Sequence, residues 1–358
     1  MSEAASPTIN EAAVEQVMGQ MAGFMTGLSM CAGIWVGDEL GFYRILADAE
    51  SMSADDLAAA ANTHPRLTRE WLDAQAAGSI LGYDAAHDTY ALSSEVALAL
   101  ADPDSPVFIA RAMNALLSVA IDGQKCLDAF RTDGALSWRD HDEHLFAGTE
   151  WLFRTGYRAE LPGWIAALDG VEQRLEQGGS IADIGCGHGA ASIVLATTYP
   201  NTRVHGFDFH EPSIDTARLR SVEAGVADRV EFTLGDAQSY PGSYDLICFF
   251  DCLHDMGDPV GAATYAREHL NPDGTVLLVE PFALDDHATN IAENPMAAIY
   301  YTASSFICTP NSLSQEVGYA IGTQAGAARW RTALADAGMT HVRQVATTPF
   351  NLILEVRP

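Results

Sequence analysis

Lysine is all but missing from this chain. Lys125 is the one lysine among 19 Lys and Arg residues, which face 48 Asp and Glu for a net charge of −29. A chain so poor in cations has little with which to neutralise phosphates, so nucleic acid is not an expected partner. Cysteine is also scarce. The six residues at 31, 126, 186, 248, 252 and 308 show no paired CxxC spacing and fall below the density of a secreted scaffold, so buried free thiols are expected. No Gly-x-Ser-x-Gly elbow and no Gly-Lys-Ser/Thr loop occurs, which argues against a serine hydrolase and a P-loop nucleotidase. Internal repeats and low-complexity linkers are absent as well. The start lacks the basic residues and cleavage pattern of an export signal, so a cytoplasmic location is expected. Long uncharged runs are few, but Val17 to Gly37 is one, 21 residues long. Its glycines and polar residues dilute the hydrophobicity, and no Arg or Lys flanks it, so a buried interface helix is expected rather than a membrane span. The Met18, Met21, Met25 and Met30 series within it reads either as core or as an adaptable interface wall.

What is present centres on Asp183-Ile184-Gly185-Cys186-Gly187-His188-Gly189. The segment Ser180 to Ile184 reads as a buried strand and Ala190 to Ala196 as the helix after it, which makes this the first βα turn of a nucleotide-binding sheet. Gly185 and Gly187 allow a tight turn and close approach of ligand to backbone. A pyrophosphate on this turn would meet the Asp183 carboxylate, whereas S-adenosylmethionine carries an ammonium and a sulfonium and no phosphate. The acid therefore favours S-adenosylmethionine over NAD. Further strands follow at the expected distances. Val204 to Phe207 ends in Asp208, suited to a bidentate ribose contact, with Phe209 beside it for the adenine. Arg229 to Leu234 runs into Gly235-Asp236-Ala237, where a short acid meets the adenine amino group. Tyr244 to Phe250 and Gly274 to Glu280 form a fourth and a fifth strand. His341 to Thr347 and Phe350 to Val356 close the chain as a hairpin.

Residues 177–358 resemble class I S-adenosylmethionine-dependent methyltransferases, through Asp183-x-Gly185-x-Gly187-x-Gly189, Asp208, Gly235-Asp236-Ala237 and Asn271-x-x-Gly274. The whole chain resembles actinobacterial members with an N-terminal winged-helix-like domain. The resemblance implies an α/β fold, a seven-stranded, mostly parallel Rossmann-like sheet with one reversed strand, and a mainly helical N-terminal domain. It implies S-adenosylmethionine at the carboxyl edge, contacted by Asp183, Gly185, Gly187, Asp208, Phe209, Asp236, Ala237, Phe250 and Asp251.

The expected organisation is a winged-helix-like dimerisation domain over 1–105, a helical linker over 106–176 lining the cleft, and the methyltransferase domain over 177–358. In the first, Ser53 caps one helix, Pro65 opens a second, and Gly78 to Leu92 makes two short strands. Between Ser53 and Leu100 only Arg66 and Arg69 stand against seven acids, so the module is expected to pair subunits and roof the site, not to bind DNA. In the linker, Trp151, Phe153, Tyr157 and Trp164 are available to line or pack the cleft. A helical insertion over 281–326 is expected above the active site, with Met296, Tyr300, Tyr301, Phe306 and Ile307 as an aromatic inner face and Asn311, Ser312 and Gln315 as polar contacts.

The chemistry is expected just after the fourth strand, at Asp251-Cys252-Leu253-His254-Asp255-Met256. This segment resembles the His-Asp-Trp segment of plant-type O-methyltransferases, with Met256 in place of the tryptophan. The resemblance makes His254 a general base of ordinary pKa, held by Asp255. His141 and His144 read as a solvated polar face, and no metal is expected. The expected reaction is methyl transfer to an oxygen of a small aromatic or polyketide-like acceptor by a homodimer. N- or C-methylation, an S-adenosylmethionine-sensing regulator and a rearrangement without methyl transfer are the alternatives.

Overall fold

A computed structural model describes residues 9–358. Its contacts divide the chain into two units, the first running to Leu117 and the second from Ser118 to Pro358.

The first unit is built from helices closed by their own punctuation. A helix over Glu11–Glu39 starts at the Asn10 cap, and Phe42–Ala47 follows it. Ser53 Oγ accepts from Asp56 N at 3.2 Å to open Ala54–Ala61, Asn62 ends that helix with φ 53°, and Pro65 opens Pro65–Ala77. The strands β1 (Gly82–Asp84) and β2 (Thr89–Ala91) pair antiparallel, and Ser94–Leu100 follows. Phe42, Leu46, Leu57, Leu72, Leu81 and Tyr90 form the core. Arg69 makes a two-pronged pair with Asp88 at 2.8 and 2.7 Å, and Arg66 pairs with Glu70. The long first helix behaves differently from the rest. Val17, Met18, Met21, Phe24, Met25 and Leu28 are exposed along it, while Ile34, Gly37 and Asp38 near its end are buried. Within a single chain the methionine series is therefore not core, apart from a partly covered Met30. By length and composition this is the one helix among the described residues able to cross a membrane.

The second unit is a sheet covered on both faces. Its strands are β3 (Ser180–Ile184), β4 (Arg203–Asp208), β5 (Val230–Leu234), β6 (Tyr244–Phe250), β7 (Leu270–Pro281), β8 (His341–Thr347) and β9 (Asn351–Arg357). They lie in the order β5-β4-β3-β6-β7-β9-β8, with only β9 reversed. Alternate residues feed two cores, as the two-residue period of a strand requires. Leu246, Cys248 and Phe250 of β6 face the helices Glu143–Ala166, Ala190–Thr198 and Glu211–Glu223, while Ile247 and Phe249 face Pro259–Glu268 and Ala327–Asp336. Gly189 and Gly206 are small because an added Cβ would stand 2.6 and 2.5 Å from the Phe232 ring. The Asn271-x-x-Gly274 segment lies inside β7 as an irregularity, with Asp273 at φ 63° and a register shift between Tyr244 and Leu246. All six cysteines are free, four of them buried and Cys31 and Cys252 partly exposed.

Chain order moves outward from β3 through β4 to β5, then returns to β6 on the other side of β3. The reversal opens a crevice at the carboxyl ends of β3 and β6, where ligands of such sheets bind. The reversed strand carries a buried charge. Glu355 is fully buried, accepts from Arg357 Nη2 at 2.7 Å and from Arg343 Nε at 2.8 Å, and also takes the Asp169 amide. Glu355→Ala would strand two guanidiniums at the sheet edge. The expected cost is about 3 kcal/mol, the low end for a broken buried pair because both arginines reach solvent. Urea denaturation measures it, and a loss below about 1 kcal/mol would contradict the pairing's importance.

Candidate functional site

The crevice is a cavity of about 910 Å³. Each acid at its floor is delivered by the end of a strand. Asp183 ends β3, Asp208 ends β4 and Asp251 follows β6. Asp183, Gly185, Gly187, Asp208, Phe209, Asp236, Ala237, Phe250, Asp251 and Asp255 all line this one cavity. His254 does not line it.

The glycine loop spends most of its amides on β4. Gly185 N and Cys186 N donate to Phe207 O at 2.8 and 3.0 Å, which ties the loop to β4. Gly187 N donates to Asp208 Oδ2 at 2.9 Å, and His210 N donates to Asp208 Oδ1 at 2.8 Å. Both Asp208 oxygens are thus fixed by backbone and keep further lone pairs for a ligand. Phe209 is partly exposed, with the Arg139 guanidinium 5.3 Å from its ring centre.

Asp183 differs from the sequence expectation. Its Oδ2 accepts from Ser192 Oγ at 2.5 Å and its Oδ1 is buried without a hydrogen-bond partner. Burial pushes its pKa up to about 7, although the Ser192 bond opposes the shift. The carboxyl is therefore only partly charged at neutral pH, and the case against a pyrophosphate rests on the cavity as a whole. Its lining carries eight carboxylates, and Arg139 is its single Arg or Lys. A sulfonium and an ammonium fit such a lining, and a polyphosphate does not.

Asp251 sits at φ 49°, a left-handed conformation that a non-glycine residue holds only when its surroundings fix it. Three contacts do so. Tyr157 OH donates to Oδ2 at 2.7 Å, Asn351 Nδ2 donates to Oδ1 at 2.7 Å, and Asp251 N donates to Val279 O at 2.8 Å. Burial, reinforced by the Glu280 charge, raises its pKa to about 8. Occupation by a cation would favour the charged forms of Asp183 and Asp251, so binding releases protons and tightens as pH rises from about 6 to 8. Without a ligand the sign reverses. Both groups hold protons in the folded chain that the unfolded chain gives up, so stability falls as pH climbs from about 4 to about 8 and levels off above that. Calorimetry of S-adenosylmethionine binding at pH 7 in buffers of different ionisation enthalpy reads the proton release, and proton uptake would contradict the assignment.

His254 is buried, with Nδ1 2.5 Å from Glu280 Oε2 and Nε2 3.1 Å from Asp255 Oδ1. Burial alone would lower its pKa, but the Asp255 and Glu280 charges outweigh burial and hold it well above the ordinary value. The neutral imidazole expected from the sequence is thus an imidazolium between two carboxylates, and Asp255 is the member of the group that reaches the cavity. Glu280, at the end of β7, is the residue the sequence reading passed over. It is buried, and its other oxygen accepts from Leu253 N at 3.1 Å, so it orients both the ring and its loop. Its signal was a lone acid at the end of an apolar strand, the same signal as Asp183 and Asp208.

The insertion braces the site instead of presenting an aromatic face. Asn311 Nδ2 donates to Asp255 O at 3.0 Å, Ser312 Oγ to Met256 O at 2.8 Å, and Gly257 N donates to Gln315 Oε1 at 2.8 Å. Asn311 and Gln315 line the cavity, but Met296, Tyr300, Tyr301, Phe306 and Ile307 do not. Tyr300 OH is spent on Phe350 O at 2.8 Å, and Phe306 and Ile307 pack into small cores. Beside Phe207, Phe209 and Phe250 of the sheet edge, the aromatic lining comes from Trp138 and from Phe146, Phe153 and Tyr157 on the helix Glu143–Ala166. Trp151 and Trp164 are buried away from it. His141 is no solvated residue either, because its buried ring turns Nδ1 to Asp122 Oδ2 at 2.9 Å.

Comparison with known proteins agrees with this geometry. Residues 175–337 match the family described as Methyltransferase domain, and residues 28–102 match the Rv2258c-like winged HTH domain. Residues 175–337 are thus a methyltransferase domain and residues 28–102 a winged helix-turn-helix domain. The methyltransferase domain has curated relatives such as 27-O-demethylrifamycin SV methyltransferase of Amycolatopsis mediterranei (strain S699), 31% identical over 33% of this chain and 47% of the relative. The match thus spans about half the length of that relative. Solved structures resemble this chain over nearly its whole length. The human N-acetylserotonin methyltransferase complex with S-adenosylmethionine covers 99% of each chain, with a TM-score of 0.72 and 17% identity. The mitomycin 7-O-methyltransferase MmcR covers 97% of this chain and 99% of its own, with a TM-score of 0.69 and 20% identity. At these identities the likeness is one of fold.

Proposed function

We propose that the protein transfers the methyl group of S-adenosylmethionine to a hydroxyl oxygen of a small aromatic or polyketide-like molecule. The observation that carries this reading is a single acid-lined cavity at the strand-order reversal, with strand-end carboxylates at its floor and Trp138, Phe146, Phe153 and Met256 in its wall. The O-methyl transfer named for the rifamycin and mitomycin enzymes above supports an oxygen acceptor. Asp208 and Asp236 would hold the ribose and adenine, Phe209 would lie against the base, and Asp183, Asp251, Gly185, Gly187, Ala237 and Phe250 would complete the cofactor half. The cofactor, when bound, supplies an electrophilic methyl on a sulfonium. The protein's part is alignment of the acceptor oxygen with that methyl and exclusion of water by the aromatic wall. Asp255, at the cavity, takes the acceptor's proton with His254 and Glu280 sharing the charge behind it. Incubation with S-adenosylmethionine and a panel of phenols, naphthols and polyketide aromatics tests the reading. Acceptor-dependent S-adenosylhomocysteine with an O-methyl product is expected, and N- or C-methyl products, or none across the panel, would overturn it.

The active form in this reading is a cytoplasmic homodimer whose winged domain binds no nucleic acid. The exposed Met18, Met21, Phe24 and Met25 face of the first helix, about 43 Å long, would be covered by a second copy. The winged domain's Arg66 and Arg69 are already paired with acids. Light scattering of the wild type and a Met21→Asp/Met25→Asp variant decides the point. A dimer that becomes a monomer is expected, and an unchanged mass would reject this face.

A further inference from the structure

We propose that His254, Asp255 and Cys308 form a binding site for a divalent cation of the zinc class. The inference goes beyond methyl transfer, and its test needs neither cofactor nor acceptor. One ligand atom from each of the three residues lies within 4.8 Å of the others, the single such mixed group among the described residues. A tetrahedral zinc ion places imidazole, carboxylate and thiolate ligands roughly 3.3 to 3.6 Å apart, so closure needs side-chain movements of about 1 Å. His254 Nε2 and Asp255 Oδ1 already stand at 3.1 Å.

The surroundings match a metal centre in a second way. A ligating histidine characteristically hands its other ring N–H to a carboxylate, which fixes the tautomer and directs the free nitrogen at the ion. Glu280 does this for His254 at 2.5 Å, so Nε2 is the nitrogen that gives up its proton to an incoming ion. Asp255 Oδ1 is buried and, despite its nearness to Nε2, has no aligned hydrogen-bond partner. Cys308 is buried at the end of a π-helical turn, Ser304–Cys308, a distortion often found at functional sites. A thiolate with an imidazole and a carboxylate selects a borderline-soft ion over Mg²⁺ or Ca²⁺. Three protein ligands leave one position open, the pattern of catalytic rather than structural zinc, and Asp255 carries that position to the cavity wall.

The experiment is metal titration of the full chain after chelation and desalting. Zinc is followed by equilibrium dialysis with elemental analysis, and cobalt by its thiolate charge-transfer absorption. One ion per chain with a thiolate band is expected. Cys308→Ser removes the band while Cys126→Ser keeps it, and Glu280→Gln weakens zinc about ten- to hundredfold. No retained ion in the wild type, a band that survives Cys308→Ser, or unaltered zinc affinity in Glu280→Gln would overturn the site. Because His254→Ala is expected to lower turnover whether His254 carries a proton or a metal, ion content and not activity is the readout.

Discussion

Asp208→Ala weakens S-adenosylmethionine binding by about tenfold to a few hundredfold, the loss expected for one or two hydrogen bonds to a charged acceptor. The carboxylate is buried at the end of β4, and its position is set by the amides of Gly187 and His210. Removing it takes away the proposed ribose acceptor and also frees the Gly187 amide, so the glycine loop loses one of its three ties to β4. Asp208→Asn separates these effects, since it keeps one acceptor for the loop. It should bind more weakly than the wild type and more tightly than alanine. An unchanged dissociation constant in Asp208→Ala would remove Asp208 from the cofactor site.

His254→Ala lowers turnover by about hundredfold, the low end for a disabled proton-transfer group, because Asp255 loses the imidazolium that holds it, and leaves cofactor affinity within about twofold. The split between the two readouts follows from geometry. His254 lies behind Asp255 and outside the cavity lining, and the residues proposed to hold the cofactor are others. The substitution also strands the buried Glu280 charge, so His254→Ala/Glu280→Gln, which carries no stranded charge, guards against a loss of folding. Turnover that is unaltered in both variants would reject any role for His254 in the reaction.

Much of the fold could be read from the chain because buried parallel strands leave a coarse signature. Apolar runs such as Leu246 to Phe250 end in acids or glycines at regular spacing, and a chain that buries both faces of a sheet has few other ways to use them. The strand-end acids that line the cavity were legible for the same reason, since a residue at a strand's end and its facing edge are local facts. What was hidden depends on contacts distant in sequence. Tyr157 reaches Asp251 across 94 residues, and Glu280 reaches His254 across 26. No local pattern says that a tyrosine on one helix will hold a strained aspartate, or that an imidazole will sit between two carboxylates and keep its proton. His141 lies in a polar stretch whose composition pointed to solvent, yet Asp122 draws it inside. The insertion misled in the opposite sense, because its aromatic spacing marks burial without saying against what.

The most direct test of the account is calorimetric titration of the purified protein, freed of co-purified ligand, with S-adenosylmethionine and with NAD. The account predicts stoichiometric S-adenosylmethionine binding with proton release at pH 7 and no heat from NAD. Binding of NAD alone would contradict the reading of the acid-lined cavity and the methyl transfer built on it.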